Sequence, residues 1–172
     1  MKYFFTSDTH FNHTKIIGYC NRPFKNVKEM DKKLVRNWND RVKKEDTVFF
    51  LGDFNFKTGQ GEGKDAKYWI DKLNGNIIFI RGNHDSKNNG LNAVIEYLVI
   101  HYGGQNIFMC HDPQDYNPEY KLNLCGHVHE KWLIRKTKDH VITYNVGVDM
   151  NGFRPVSINE IITNILKWKK SN

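Results

Sequence analysis

Three cysteines and four prolines are all that this chain of 172 residues holds. Cys20, Cys110 and Cys125 are odd in number, far apart and without a Cys-x-x-Cys pair. That spacing excludes a disulfide framework and a Cys-rich zinc site, and it suits a reducing compartment. Also missing is a run of about eighteen uncharged apolar residues, the minimum for a membrane-spanning helix. The apolar run at Tyr3-Phe4-Phe5 is too short for a secretory signal. The expectation is a cytoplasmic protein with no membrane partner. Negative charge is the scarcer sign, 19 Asp and Glu against 26 Lys and Arg, for a formal +7. Such a balance favours polyanionic partners, nucleic acid or phosphorylated small molecules, and is silent about fold. With 39% hydrophobic and 13% aromatic residues the chain is too apolar to be disordered. Its length predicts a single domain over residues 1–172, large enough to fold without a disulfide or structural metal.

What is present is a series of short apolar runs bounded by turn residues: Tyr3-Phe4-Phe5, Val48 to Leu51, Ile77 to Ile80, Ile107 to Cys110 and Leu122 to Cys125. All but the last are continuous rather than alternating, as in strands covered on both faces. Val27, Met30, Leu34 and Trp38 recur at helical spacing behind an Asn26/Glu29 capping pair. A second helix aligns Ala66, Trp69, Ile70 and Leu73 and stops at Gly75; a third starts at Ser157 and Glu160 and turns Ile158, Ile161, Ile162, Ile165 and Leu166 inward. The first half thus alternates strand and helix, while about Glu96 to Val156 reads as strands and turns. The fold class expected is α/β, two mixed sheets face to face with helices outside. Gly59 to Lys64 resembles a phosphate-binding loop only superficially, with Thr58 in place of the first Gly and Asp65 in place of the magnesium-binding hydroxyl; it reads as a mobile surface loop.

Each apolar run leads into groups able to bind metal. In order these are Asp8-Thr9-His10, Gly52-Asp53, Gly82-Asn83-His84-Asp85, His111 and Gly126-His127-Val128-His129. Ligands bind beyond the carboxyl ends of strands in open α/β sheets, so five such ends can converge on one site. An extended backbone would point both members of Asp8-x-His10, and both of His127-x-His129, to one face and a common centre. Five histidines, two carboxylates and an amide oxygen form a nitrogen and oxygen set too rich for one metal. It suits Mn²⁺ first, with Fe²⁺, Zn²⁺ or Ni²⁺ as alternatives, and excludes Ca²⁺. Two cations about 3.5–4 Å apart need a bridging group, and Asp53 is the candidate. His101 and His140 lack such company and read as exposed or merely packed; Cys110 and Cys125 read as small core residues.

These motifs, in this order over residues 8 to 129, resemble the calcineurin-like metallophosphoesterase superfamily. Ser7 to His13, Asn21-Arg22-Pro23-Phe24 and Leu51-Gly52-Asp53-Phe54 further resemble its small stand-alone prokaryotic and phage branch. The resemblance implies a four-layer α/β/β/α sandwich. It also implies a division of ligands, with Asp8, His10 and His129 on one metal, Asn83, His111 and His127 on the other, Asp53 bridging, and His84 near the scissile phosphate. The chain departs from the Ser/Thr protein phosphatase branch where Gly52-Asp53 continues Phe54-Asn55-Phe56-Lys57 instead of Asp-Arg-Gly. The residue that pairs with the His84 equivalent there is missing.

The function expected is hydrolysis of a phosphomonoester or phosphodiester by a metal-bridging hydroxide, with His84 as proton donor and Asn12, His13, Arg22 and Arg81 as candidate phosphate contacts. A metal-dependent nuclease is the alternative within that class. A nucleic-acid-binding protein with a vestigial metal site and a metal-stabilised interaction module are the rivals outside it.

Overall fold

The computed structural model describes residues 1–56, 63–85 and 90–171, so the stretch read as a surface loop from Gly59 lies outside the described residues up to 62. The continuous apolar runs form the interior of two sheets. β1 (Tyr3–Thr6), β2 (Thr47–Leu51) and β3 (Asn76–Ile80) run parallel, and β9 (Val156–Ser157) pairs antiparallel with β1, giving the order β3-β2-β1-β9. The second sheet orders β4 (Tyr97–Tyr102), β5 (Gln105–Cys110), β6 (Leu122–Cys125), β8 (Ile142–Asn145) and β7 (Ile134–Lys136), with β5, β6 and β8 parallel and both edge strands antiparallel. Parallel neighbours align the carboxyl ends of β1, β2 and β3 at one end, and those of β5, β6 and β8 likewise.

Alternation of side chains divides the core. Phe5, Phe49 and Leu51 of the first sheet join Ile107, Met109, Leu122, Leu124, Ile142 and Tyr144 of the second in one apolar cluster between the sheets. Phe4, Val48 and Phe50 face the other way, onto α1 (Thr14–Tyr19), α2 (Val27–Asn39) and α3 (Ala66–Ile70). The helices are spread unequally around these two mixed sheets. α4 (Ile158–Ser171) adds Ile158, Ile161 and Ile165 to the intersheet cluster. Over the outer face of the second sheet the described covering is loop: Asn123, buried in β6, accepts from Asn117 N–H and donates to Asn117 and Tyr120 carbonyls. Cys110 and Cys125 pack there beside Phe108, Tyr120 and Trp132, as small core residues.

Both capping pairs form. Asn26 accepts from Glu29 N–H at 3.0 Å, and Glu160 accepts from Ser157 N–H at 2.9 Å. α3 is shorter than its apolar pattern: helix ends at Ile70, and Leu73 lies in the turn before Gly75. No described helix is long and apolar enough to cross a membrane.

Candidate metal centre

Beyond their last paired residues the strands continue as a braced set of loops. Asp8 N–H donates to Gly52 O, His10 N–H to Asp53 O and Phe11 N–H to Phe54 O. A parallel bridge between Ser7 and Gly147 joins the first sheet to the segment after β8. Gly126 supports this join, because a Cβ there would lie 2.4 Å from Ser7 Oγ and 2.6 Å from an Asp8 oxygen. Gly82 does the same for the other loops: a Cβ would lie 2.2 Å from Asp53 Oδ1. The Asp85 carboxylate, buried beneath, accepts from the N–H groups of Asp53, Phe54 and Gly82 at 2.8–3.0 Å. It holds the loop that follows β3 onto the one that follows β2.

The backbone corrects one expectation from the sequence. Asp8, His10, Asp53, His127 and His129 are left-handed, with φ of 57°, 47°, 61°, 69° and 48°, not extended. Such conformations are uncommon outside glycine and cost on the order of 1–3 kcal/mol each, sustained only where surrounding contacts over-determine them. The paired residues therefore reach their positions through turns, and the His-x-His pair splits. His129 groups with Asp8 and His10, whereas His127 groups with Asp53 and His111.

Asp53 lies between the two groups. Its Oδ1 accepts from His84 N–H at 2.8 Å, which leaves Oδ2 3.5 Å from His10 Nε2 and 3.5 Å from His111 Nε2. Among the described residues, Asp53 Oδ2 and His10 Nε2 are buried without any hydrogen-bond partner. Leaving a buried polar atom unsatisfied costs about 1–3 kcal/mol, a cost that a cation between them would remove. Asn83 Oδ1 lies 2.9 Å from both His111 Nε2 and His127 Nδ1, so three donor atoms meet on the second side. His111 Nδ1 must donate to Leu51 O, at 2.7 Å, since a carbonyl only accepts; its Nε2 is thereby turned to the site. Nitrogen and oxygen donors in two groups sharing one carboxylate fit a pair of divalent cations.

Without cations the charges balance through protons. Burial opposes protonation of His111, but the adjacent Asp53 carboxylate, with the Asp8 charge and the Leu51 carbonyl, raises it to about 9. His129 is likewise pushed up against burial, to about 10, by Asp149, Cys20 and Asp8. Asp53 is held well below the carboxylate range because His111 and His10 outweigh its burial. Burial raises Asp8 and lowers His10.

The candidate phosphate contacts fare differently. Arg22 is buried and all five of its N–H groups are engaged: Nε and Nη2 on Asp149 at 2.8 and 2.9 Å, Nη2 also on Asp8 O, and Nη1 on Thr9 O and Met30 Sδ. It is a brace for the Asp8 to His10 loop and not a phosphate contact. Asn12 is buried and donates from Nδ2 to Phe56 O. The His13 ring stacks on Phe56 at 4.4 Å, and burial, with the His84 and Arg22 charges, lowers it to about 4, so it is neutral at pH 7. Arg81 is exposed and paired with Glu96. The His84 ring lies 5.6 Å from that of His10. His101 and His140 are exposed, away from both groups.

Sequence reasoning missed Asp149, whose Oδ2 accepts from His129 Nδ1 at 2.9 Å while Arg22 holds both its oxygens. It also missed Cys20, which groups with His129 and Asp149. Asp149 sits in no motif, and Cys20 directly precedes the Asn21-Arg22-Pro23-Phe24 stretch without belonging to it. Arg22 already neutralises Asp149, so this third group is a support for His129.

A model of the calcineurin-like phosphoesterase superfamily domain matches residues 1–152. An uncharacterized protein of Methanocaldococcus jannaschii is 38% identical over 180 residues, covering 98% of this chain and 93% of that one. The gene 66 protein of Mycobacterium phage D29 is 27% identical over 177 residues, with 84% and 86% covered. A solved Aquifex aeolicus protein of unknown function aligns with a TM-score of 0.72 at 25% identity, covering 94% of this chain and 98% of that one. The chain therefore belongs to the calcineurin-like phosphoesterase superfamily, a family of metal-dependent hydrolases.

Proposed function

We propose that this chain hydrolyses a phosphate ester, monoester or diester, with two divalent cations held by Asp8, His10 and His129 on one side and Asn83, His111 and His127 on the other. The observation that carries this reading is Asp53 Oδ2, buried, unpartnered and equidistant at 3.5 Å from one histidine of each group. When bound, such cations acidify water and neutralise charge developing on a phosphoryl group. The chain's own residues orient and exchange protons. Leu51 O and Asp149 fix the His111 and His129 rings by their far nitrogens, and His84 N–H turns the Asp53 carboxylate. The His84 ring is the proton donor to the leaving oxygen, a role worth about 10²–10⁴ in rate.

Metal analysis combined with turnover of nitrophenyl mono- and diesters tests the proposal. EDTA should remove activity without unfolding the protein, and Mn²⁺ should restore more than Mg²⁺, because imidazole-rich sites favour softer ions. Two bound equivalents with no turnover of any phosphate ester would overturn it. His84→Asn should slow esters with poor leaving groups far more than nitrophenyl esters; a uniform loss with metals intact would remove the acid role alone.

A further inference from the structure

Between α2 and α3 lies a groove of about 540 Å³ that none of the proposed metal-binding groups uses. Five of its eleven lining residues are cationic, Lys28, Lys32, Arg36, Lys64 and Lys72, against one acid, Asp31. Lys28, Lys32 and Arg36 follow one another four residues apart on α2, so they form a stripe rising about 6 Å per step. Lys64 and Lys72 belong to the opposite wall, their ammonium groups 4.0 and 4.6 Å from the centre of the Tyr68 ring. An aromatic ring holding two lysines lowers the entropy they lose on meeting an anion. The single acid, Asp31, whose two oxygens accept from Asn12 N–H at 3.2 Å, offsets only one of these five charges. Asn12 itself lines the groove and lies between His10 and His13 in sequence. The groove therefore opens beneath the loop that carries the first metal-binding group.

A stripe of regularly spaced cations facing two more across an apolar floor suits a run of phosphates better than a single one. We propose that this groove binds the backbone of single-stranded nucleic acid, which makes a nucleic-acid phosphodiester the substrate of the neighbouring centre. The inference rests on the phosphoesterase reading above and names its substrate class. It also gives a place to part of the formal +7 of the chain.

The test uses the full chain in EDTA and a fluorescent single-stranded oligonucleotide, read by anisotropy over a range of salt. The triple variant Lys32→Gln, Arg36→Gln, Lys72→Gln removes three groove cations. The control Lys167→Gln, Lys169→Gln, Lys170→Gln removes the same charge from exposed positions of α4. Groove binding predicts at least a tenfold loss for the triple variant at low salt, a salt slope shallower by about 2, and near wild-type binding for the control. Turnover of a nitrophenyl diester with Mn²⁺ should be unchanged in both variants, while oligonucleotide cleavage falls only in the first. Equal losses in the two variants, or tight oligonucleotide binding without cleavage by an enzyme active on the small diester, would overturn the inference and leave the phosphoesterase standing. Absence of turnover on every ester would remove the phosphoesterase reading itself.

Discussion

Around Asp8, His10 and His129 the side chains are mostly buried and cross-braced by charge, whereas on the other side of Asp53 the Asn83 side chain is exposed and His127 partly so. The first group ends in a chain of contacts that runs from His129 through Asp149 to Arg22, whose guanidinium also ties down the Asp8 and Thr9 carbonyls. The second is ordered by Leu51 O at His111 and by contacts among the donor atoms themselves. A group held from behind keeps its geometry without a cation, while one whose members hold each other depends on it. In the proposed reading the first side would be the permanent anchor, and the second, being the more exposed, the side open to a phosphate ester.

The change with the largest expected effect breaks both sides together. Asp53→Asn should abolish turnover and lower bound metal below two equivalents, since a neutral amide cannot join two cations as a carboxylate does. Unaltered metal content with near wild-type rates would remove Asp53 from the centre of the comparison. Arg22→Met strikes only the anchor. It leaves Asp149 buried with half its partners gone, so unfolding in urea should show a loss of about 3–5 kcal/mol. A loss below 1 kcal/mol would mean that the brace is not needed. Asp149→Asn is milder, because the amide keeps its shape. Metal affinity of the first group should weaken about 10–100-fold, with the second group unaffected. Two titration steps that shift equally would show that the sides are not independent.

The smallest effect is one of pH on the metal-free protein. His111 at about 9 and His129 at about 10 lie above the ordinary value of 6.5. Their protonated forms stabilise the fold fully below about pH 6.5, and that contribution is lost as pH rises through 9 and 10. With EDTA present, Tm should fall over this interval. With excess Mn²⁺ the trend should reverse, because cations displace those protons. A Tm in EDTA that stays level from about pH 6 to 10 would contradict the charge balance described for the site.

Periodicity and caps made the outline of the fold readable in advance. Short continuous apolar runs bounded by turn residues suit strands covered on both faces, and Asn26 and Ser157 mark helix starts through their own side-chain oxygens. The short α1, the early end of α3 and the loop cover on the second sheet were not readable. Each depends on what packs beside it, as when Asn123 gathers the loop around Asn117 and Tyr120. The site divides in the same way. The donor types and their order along the chain are local properties, so the succession from Asp8 to His129 was visible in the letters alone.

The tertiary structure decided how those donors meet. Alternation in an extended strand would let His127 and His129 address one centre, whereas the family resemblance divides them; the left-handed turns at both residues carry that division. Arg22, read as a candidate phosphate contact, is closed off by acceptors on three separate segments, at Asp8 and Thr9, at Met30 and at Asp149. Asp149 joins the site from 20 residues beyond His129. Hydrophobic period and capping act over a few residues and so are written in the sequence. Backbone strain, buried charge pairs and convergence are set by groups far apart in the chain, and no local pattern encodes them.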